Sequence, residues 1–345
     1  MRAIFRARLC IALLLAARTA AQTAGCGRAR HPGVPGATVD YNQTFARQVL
    51  THKLTLPGSY SPLLPSPLLL FFHGWGATSS SCGSLCDADA PAAGFIALSM
   101  QGIGLSWNGS GSVASPGARG PTCEANATDY CYADCGNACA DNCWWTTCED
   151  SAGEVAAALD ALEGALCVDQ RMIWATGCSN GGIFLYELAQ DARVAPRLAG
   201  IAPVVGLPHI GFLGAPRANP RMSYLGNLGS LDTTVPPLCN TNESDRSLDT
   251  SSQPGGWFYQ TSRSTSDSVA AIKGCAGPRE PTTDWGIGAF ADLNCTRVRG
   301  CPHGDVVECL APHGHVCGLD NQNAPLLAFA RAHPLPAVPP ATAES

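Results

Sequence analysis

The chain has 345 residues, long enough for one large domain with a buried core. Hydrophobic residues make up 46% and charged residues 14%, which excludes an intrinsically disordered chain. The net charge of −6 is mild and leaves no case for nucleic acid or an anionic membrane as a partner.

The first residues read as an export leader. Arg2, Arg6 and Arg8 form a positive region, Leu9 to Ala17 a short apolar one, and Thr19-Ala20-Ala21 a small-residue cleavage site. The apolar run is too short to span a bilayer, so residues 1–21 are expected to be removed and the remainder secreted. Cysteine usage agrees. Of 18 cysteines, 17 remain once Cys10 leaves with the leader, and an exported chain this rich in cysteine implies a disulfide framework. The odd number leaves at least one thiol over. The densest part runs from Cys123 to Cys148; zinc is the other use of such a cluster, but export favours disulfides. Five N-x-[S/T] sequons, at Asn42, Asn108, Asn126, Asn242 and Asn294, suit a glycosylated secreted protein.

In chain order, residues 22–66 are rich in Gly and Pro and predict an exposed segment with one strand around Gln48 to Lys53. Pro67 to Phe72 is a continuous apolar run, as expected of a strand buried on both faces, and Phe95 to Ser99 is a second. Residues 104–149 are Gly-, Ser- and Cys-rich and read as stapled loops forming an insertion. Glu149 to Leu166 is a helix, with Val155, Leu159, Leu162 and Leu166 at helical spacing. Strands follow at Met172 to Thr176, Leu198 to Val205 and, less clearly, Ser223 to Gly229. Helices are expected at Ser264 to Lys273 and Ala324 to Ala332, and residues 334–345 form a Pro-rich disordered tail. Strands alternating with helices predict an α/β fold with a mostly parallel central sheet. The domain is expected to span residues 22–333, with the insertion at about 104–149.

Between the strand at Met172 to Thr176 and the helix-like run from Ile183 to Gln190 stands Gly177-Cys178-Ser179-Asn180-Gly181-Gly182. It fits G-x-S-x-G in the strand-turn-helix setting of a nucleophile elbow, so Ser179 is the candidate nucleophile. An acyl-transfer serine needs a base, and the base needs an acid; on a hydrolase fold the chain order is serine, acid, histidine. Asp232 follows a candidate strand and is the favoured acid over Asp267, Asp284 and Asp292. His303, His313 and His315 stand before the last helix as candidate bases. His209 precedes any plausible acid, and His333 lies in the tail. His73-Gly74-Trp75-Gly76 follows the buried strand. It can supply one oxyanion N–H, from Gly74 or Trp75, with the other from Asn180. His73 itself reads as structural. Trp75, Trp107 and the Trp144-Trp145 pair are candidates to line an acyl or sugar pocket.

Taken together, His73 to Ala77, Ala88 to Ile96, Ser106-Trp107-Asn108-Gly109, the elbow, and Ser230 to Pro236 resemble, in order, the secreted polyhydroxybutyrate depolymerase and feruloyl esterase group. This is carbohydrate esterase family 1, with acetylxylan esterases as relatives. The resemblance covers roughly residues 45–330. It implies an α/β-hydrolase fold with a disulfide-rich insertion and a Ser-Asp-His esterase. Its triad maps onto Ser179, Asp232 and His315, with His313 as the alternative base. Beside it, the loop and elbow make the N–H groups of Trp75 and Asn180 the expected oxyanion donors, and Trp75 and Trp107 are expected against substrate. Leu228 to Asp232 lacks the histidine of the family's H-G-x-x-D. Glu149 to Gly153 replaces its D-D-V-G-F, and Val316-Cys317 replaces the aromatic usual after the catalytic histidine. Some fungal feruloyl esterases and tannases, which the chain resembles here, join the neighbours of serine and histidine by a disulfide. That implies Cys178–Cys317; the alternative is a buried Cys178 thiol under the elbow.

The expected activity is hydrolysis of carboxylic esters, feruloyl or acetyl esters of polysaccharide or a polyhydroxyalkanoate, through an acyl-enzyme. It needs no cofactor or metal, and the chain is expected to act as a monomer. The insertion would form a lid or rim; its Asp134 and Asp141 form no calcium-loop motif. A peptidase on the same fold and an inactive secreted binding protein are the competing readings.

Overall fold

The computed structural model describes residues 22–336 except 129, 141–142, 214–218, 241–249, 291 and 319. The expected leader and most of the expected tail lie outside the described residues, as does the Asn242 sequon. Ten strands form one sheet in the order β1-β2-β4-β3-β5-β6-β7-β12-β11-β10. They are β1 (Thr38–Phe45), β2 (Gln48–Thr55), β3 (Ser66–Phe72), β4 (Ile96–Met100), β5 (Val168–Cys178), β6 (Gly200–Val204), β7 (Ser223–Gly229), β10 (Arg279–Pro281), β11 (Asn294–Val298) and β12 (Val306–Ala311). The six central strands, β4 to β12 in that order, run parallel; the outer pairs at both ends are antiparallel. A two-stranded ribbon, β8 (Thr250–Ser252) with β9 (Phe258–Gln260), stands apart. The longer helices are α1 (Ser151–Ala165), α2 (Asn180–Leu188), α3 (Ser262–Lys273) and α4 (Asp320–Ala332).

The period of two along β3 shows why the sheet is covered twice. Leu68, Leu70 and Phe72 join the core formed with α1, α2 and α3, while Leu69 and Phe71 join the core formed with α4. Both sets are buried, and so the strand reads as unbroken apolar sequence. Several strands were not expected, among them β1, β11 and β12. β1 is a second N-terminal strand: its residues alternate exposed and half-buried at the sheet edge, with no apolar run to betray it. β11 and β12 complete the far side of the sheet. The second is hidden in the sequence because its buried Glu308 looks like a loop residue. Glu308 is held there by Arg263 at 3.1 Å, Arg279 at 3.0 Å and the Ser262 hydroxyl.

Eight disulfides pin this frame. Cys123–Cys143, Cys131–Cys139 and Cys135–Cys148 staple the insertion onto itself. Asp134 is absorbed by the same insertion, accepting from the Thr147 hydroxyl and from the Cys148 N–H at 2.7 Å. No described helix is long and apolar enough to cross a membrane.

The chain leaves β3 for β4 on one side and returns to β5 on the other. Loops diverge at such a reversal and open a crevice at the carboxyl ends of the strands. The loop after β3 carries Trp75, and the turn after β5 carries Ser179.

Candidate active site

Ser179 sits at the tip of β5 and caps α2 with φ 54° and ψ −119°. A non-glycine residue held there costs roughly 1–3 kcal/mol, which the packing around it must offset. The glycines beside it are required by space. A Cβ on Gly177 would meet the Phe72 carbonyl oxygen at 2.8 Å, and one on Gly181 would drive into that same atom. The turn therefore fits tightly against the end of β3, and this sets the separation of Ser179 from the His73-to-Gly76 loop. A Cβ on Gly74 would lie 3.5 Å from the Ser179 Cβ.

The hydroxyl of Ser179 donates to His315 Nε2 at 2.8 Å, and His315 Nδ1–H donates to Asp232 Oδ2 at 2.8 Å. The other oxygen, Oδ1, accepts the N–H groups of Thr234 at 2.7 Å and Val235 at 2.9 Å. Asp232 hangs from the turn after β7, and its side chain is 1% exposed; that of His315, on the loop after β12, is 21% exposed. A carboxylate so bonded fixes the imidazole tautomer, with Nε2 free to accept the hydroxyl proton.

The structure thus brings Ser179, Asp232 and His315 together. His313 turns away, with Nδ1–H donating to the Gly314 carbonyl at 2.8 Å. Of the other acids, Asp267 pairs with Arg279, and Asp284 lies 3.3 Å from Arg297. His333 binds Asp305 at 2.5 Å. His73 is buried and neutral: burial lowers its pKa to about 4. Its Nδ1–H donates to the Gly74 carbonyl at 2.8 Å, and its Nε2 accepts the Gly102 N–H at 3.1 Å, so it shapes the loop that precedes Trp75.

Asn180 is the first residue of α2, so its N–H has no acceptor within the helix and faces the positive helix end. Its side chain is committed elsewhere, exchanging two hydrogen bonds with the Trp107 backbone at 2.8 and 3.0 Å.

Cys178 is bonded to Cys317, two residues beyond His315. The bond ties the histidine loop to the base of the elbow across a Cα separation of 5.6 Å. The buried-thiol alternative for Cys178 is thereby set aside; Cys239 takes part in none of the eight disulfides.

A cavity of about 340 Å³ opens at Ser179. Ile183, Val235, Tyr259, Trp257, Trp145, Trp75 and Tyr130 line it, with Thr234 and Gln253 as polar points. Trp75 is 46% exposed, packs on Tyr130 with ring centroids 5.1 Å apart, and donates its indole N–H to the Tyr132 hydroxyl at 2.7 Å. The insertion therefore leans on the loop after β3. Trp107 corrects the expectation that it meets substrate. It is 0% exposed, stacks on Phe184 at 5.3 Å and donates its indole N–H to the His73 carbonyl at 3.0 Å. A flat apolar ring beside β3 gains more from the core than from the crevice. Sequence reading missed Tyr130, Trp257 and Tyr259. The aromatic run Trp257-Phe258-Tyr259 was the available signal for a short strand; Trp257, just before β9, and Tyr259, within it, both line the cavity.

No family model and no curated protein matches the sequence. Solved structures do. An acetyl xylan esterase from Aspergillus awamori is 13% identical, covers 81% of this chain and 94% of its own, and superposes with a TM-score of 0.50. A thermostable esterase is 14% identical over 68% of this chain and 52% of its own, with a TM-score of 0.41. An S-formylglutathione hydrolase from Agrobacterium tumefaciens is 11% identical over 59% and 80%, with a TM-score of 0.38. With its six parallel central strands, flanking helices and disulfide-rich insertion, the chain has the α/β-hydrolase fold.

Proposed function

We propose that this chain is a secreted serine esterase that cleaves carboxylic esters through an acyl-enzyme. The observation that carries the reading is the chain of two 2.8 Å hydrogen bonds from Ser179 through His315 to Asp232, assembled at a strained elbow that opens on a cavity. His315 Nε2 takes the Ser179 proton as Oγ bonds to the ester carbonyl carbon. The oxyanion is held by the N–H groups of Trp75 and Asn180, each donor contributing roughly 3–4 kcal/mol to the transition state. The tetrahedral species collapses, the carbon–alkoxide bond breaks, and His315 returns the proton to the leaving alcohol. Water activated by His315 then releases the acid and restores Ser179.

The aromatic lining favours an acyl group larger than acetate, with a flat ring such as ferulate the best fit against tryptophan and tyrosine side chains. Acetylated polysaccharide and hydroxyalkanoate polymers are the other substrates of this reading. Sixteen cysteines in disulfides support an oxidising compartment, and hence export. Of the described sequons, Asn42, Asn126 and Asn294 stand exposed; Cys295 within the Asn294 sequon is bonded to Cys309 and the Ser110 of the Asn108 sequon is buried, which leaves Asn42 and Asn126 as the expected glycan sites.

The test is turnover of p-nitrophenyl acetate and methyl ferulate by the protein and by Ser179→Ala. Hydrolysis that disappears in the variant is expected, with methyl ferulate preferred. No turnover by a folded, disulfide-intact protein would favour a binding protein instead.

A further inference from the structure

We infer that His209, which does not itself line the cavity, is the positioning residue that sets the shape of the aromatic wall and hence the enzyme's preference for ring-bearing esters. The inference rests on the esterase reading above. His209 lies on the loop after β6 and is fully buried. Three of the cavity's aromatic side chains surround its ring: Tyr259 stacks on it at 4.7 Å, Trp257 lies at 5.7 Å, and Trp145 meets it edge-on at 5.9 Å. They come from separate stretches of chain, Trp145 from the insertion and the other two from the ribbon arm around β9. His209 is where they meet.

Its polar atoms define the arrangement. Trp145 Nε1–H donates to His209 Nε2 at 3.0 Å, and His209 Nδ1–H donates to the Phe258 carbonyl at 2.8 Å. One edge of the ring must accept while another donates, and the faces must stay flat enough to stack. A neutral imidazole meets all three needs. Burial keeps it neutral, lowering its pKa to about 4. The backbone repeats the clasp. The His209 N–H donates to the Ser110 carbonyl at 3.1 Å, next to the insertion, and His209 bridges to Tyr259 in antiparallel fashion. Without the imidazole acceptor, Trp145 loses the bond that sets its ring angle, and with it the edge-on packing against Trp257, ring centroids 6.1 Å apart, that fixes both rings at the cavity.

The test compares kcat/KM for methyl cinnamate and methyl acetate, which share a leaving group and differ by the ring. In His209→Phe, which keeps a ring and removes both polar atoms, the cinnamate-to-acetate ratio is expected to fall about tenfold, the scale of one buried hydrogen bond, with the change in KM. Trp145→Phe, which removes the donor together with part of the ring that lines the cavity, should fall at least as far, and the double variant no further than Trp145→Phe alone. His209→Gln, whose amide oxygen can accept from Trp145, should recover part of the ratio. Labelling of Ser179 by a small organophosphonate reports the triad separately. A ratio unchanged in both His209→Phe and Trp145→Phe, or falls that simply add, would overturn the inference. Should His209→Phe fail to fold, Trp145→Phe and His209→Gln decide it alone. If the wild type hydrolyses neither ester while folded, the esterase reading fails. The inference is then read from cinnamate binding followed by tryptophan fluorescence, where equal Kd for wild type and Trp145→Phe would overturn it.

Discussion

The parallel sheet and the stapled insertion are built on different terms. β3, β5, β7 and β12 are held by neighbours on both sides in the sheet and by apolar cores on both faces, and the three side chains of the triad hang from the turns after β5, β7 and β12. The insertion has little regular structure and is held by three disulfides, yet it supplies Tyr130 and Trp145 to the cavity. On the proposed reading the chemistry sits on the rigid part, where a triad needs sub-ångström placement, and part of the recognition surface sits on the insertion, which can change without disturbing it. Perturbing each part separately should separate rate from selectivity.

The largest effect belongs to the sheet. Ser179→Ala should lower kcat by roughly 10⁵- to 10⁶-fold for every ester, and Asp232→Asn by about 10⁴-fold, with methyl ferulate binding retained. A selective loss for one ester in Ser179→Ala would mean the serine acts in binding alone.

The same contrast governs how the sequence could be read. β3, β4 and β5 were legible because double burial writes itself as apolar runs, and the elbow because its glycines are demanded by backbone contacts at Phe72. β12 was not, since Glu308 is buried in its middle and stabilised by Arg263 and Arg279 from other elements. Trp107 was misread because a tryptophan in a core and one in a crevice look alike in sequence. The aromatic lining was legible only in part: Trp145 stood among the pocket candidates, but Trp257 and Tyr259 lie far from it along the chain, and the clasp at His209 brings the two segments together.

Acid should strain both regions through buried neutral histidines. Burial lowers the pKa of His52 and His73 in the scaffold, and of His209 behind the cavity, to about 4. Between that value and the unfolded pKa near 6.5, the unfolded chain binds protons that the folded one does not. Stability is thus complete above about pH 6.5 and falls as pH drops toward 4, by about 3 kcal/mol per histidine. Melting curves from pH 7 to 4 should show this slope, and His52→Gln should flatten it. A melting temperature that is flat over the window would contradict the neutral assignments.

The Cys178–Cys317 bond is where the two styles meet, a staple applied to the triad itself. It closes the chain between elbow and histidine loop with Cα atoms 5.6 Å apart. Cys317→Ser should free the loop that carries His315, and a displacement of about 1 Å costs on the order of 10²-fold in rate. Here kcat should fall equally for small and large esters, because the cavity walls are untouched. Full activity in the variant would show that Asp232 and Ser179 alone hold the imidazole.

The smallest effect is the one most particular to the insertion. Trp145→Ala removes one wall of the cavity while leaving the sheet and all eight disulfides in place. The bulky ester should lose about tenfold in kcat/KM, the worth of roughly 1–1.5 kcal/mol of ring contact, mostly through KM. Methyl acetate is too small to touch that wall and should lose less. The ratio of the two losses is the informative number. If it is near one, Trp145 acts on the rate and not on selectivity, and the separation of chemistry from recognition breaks down there.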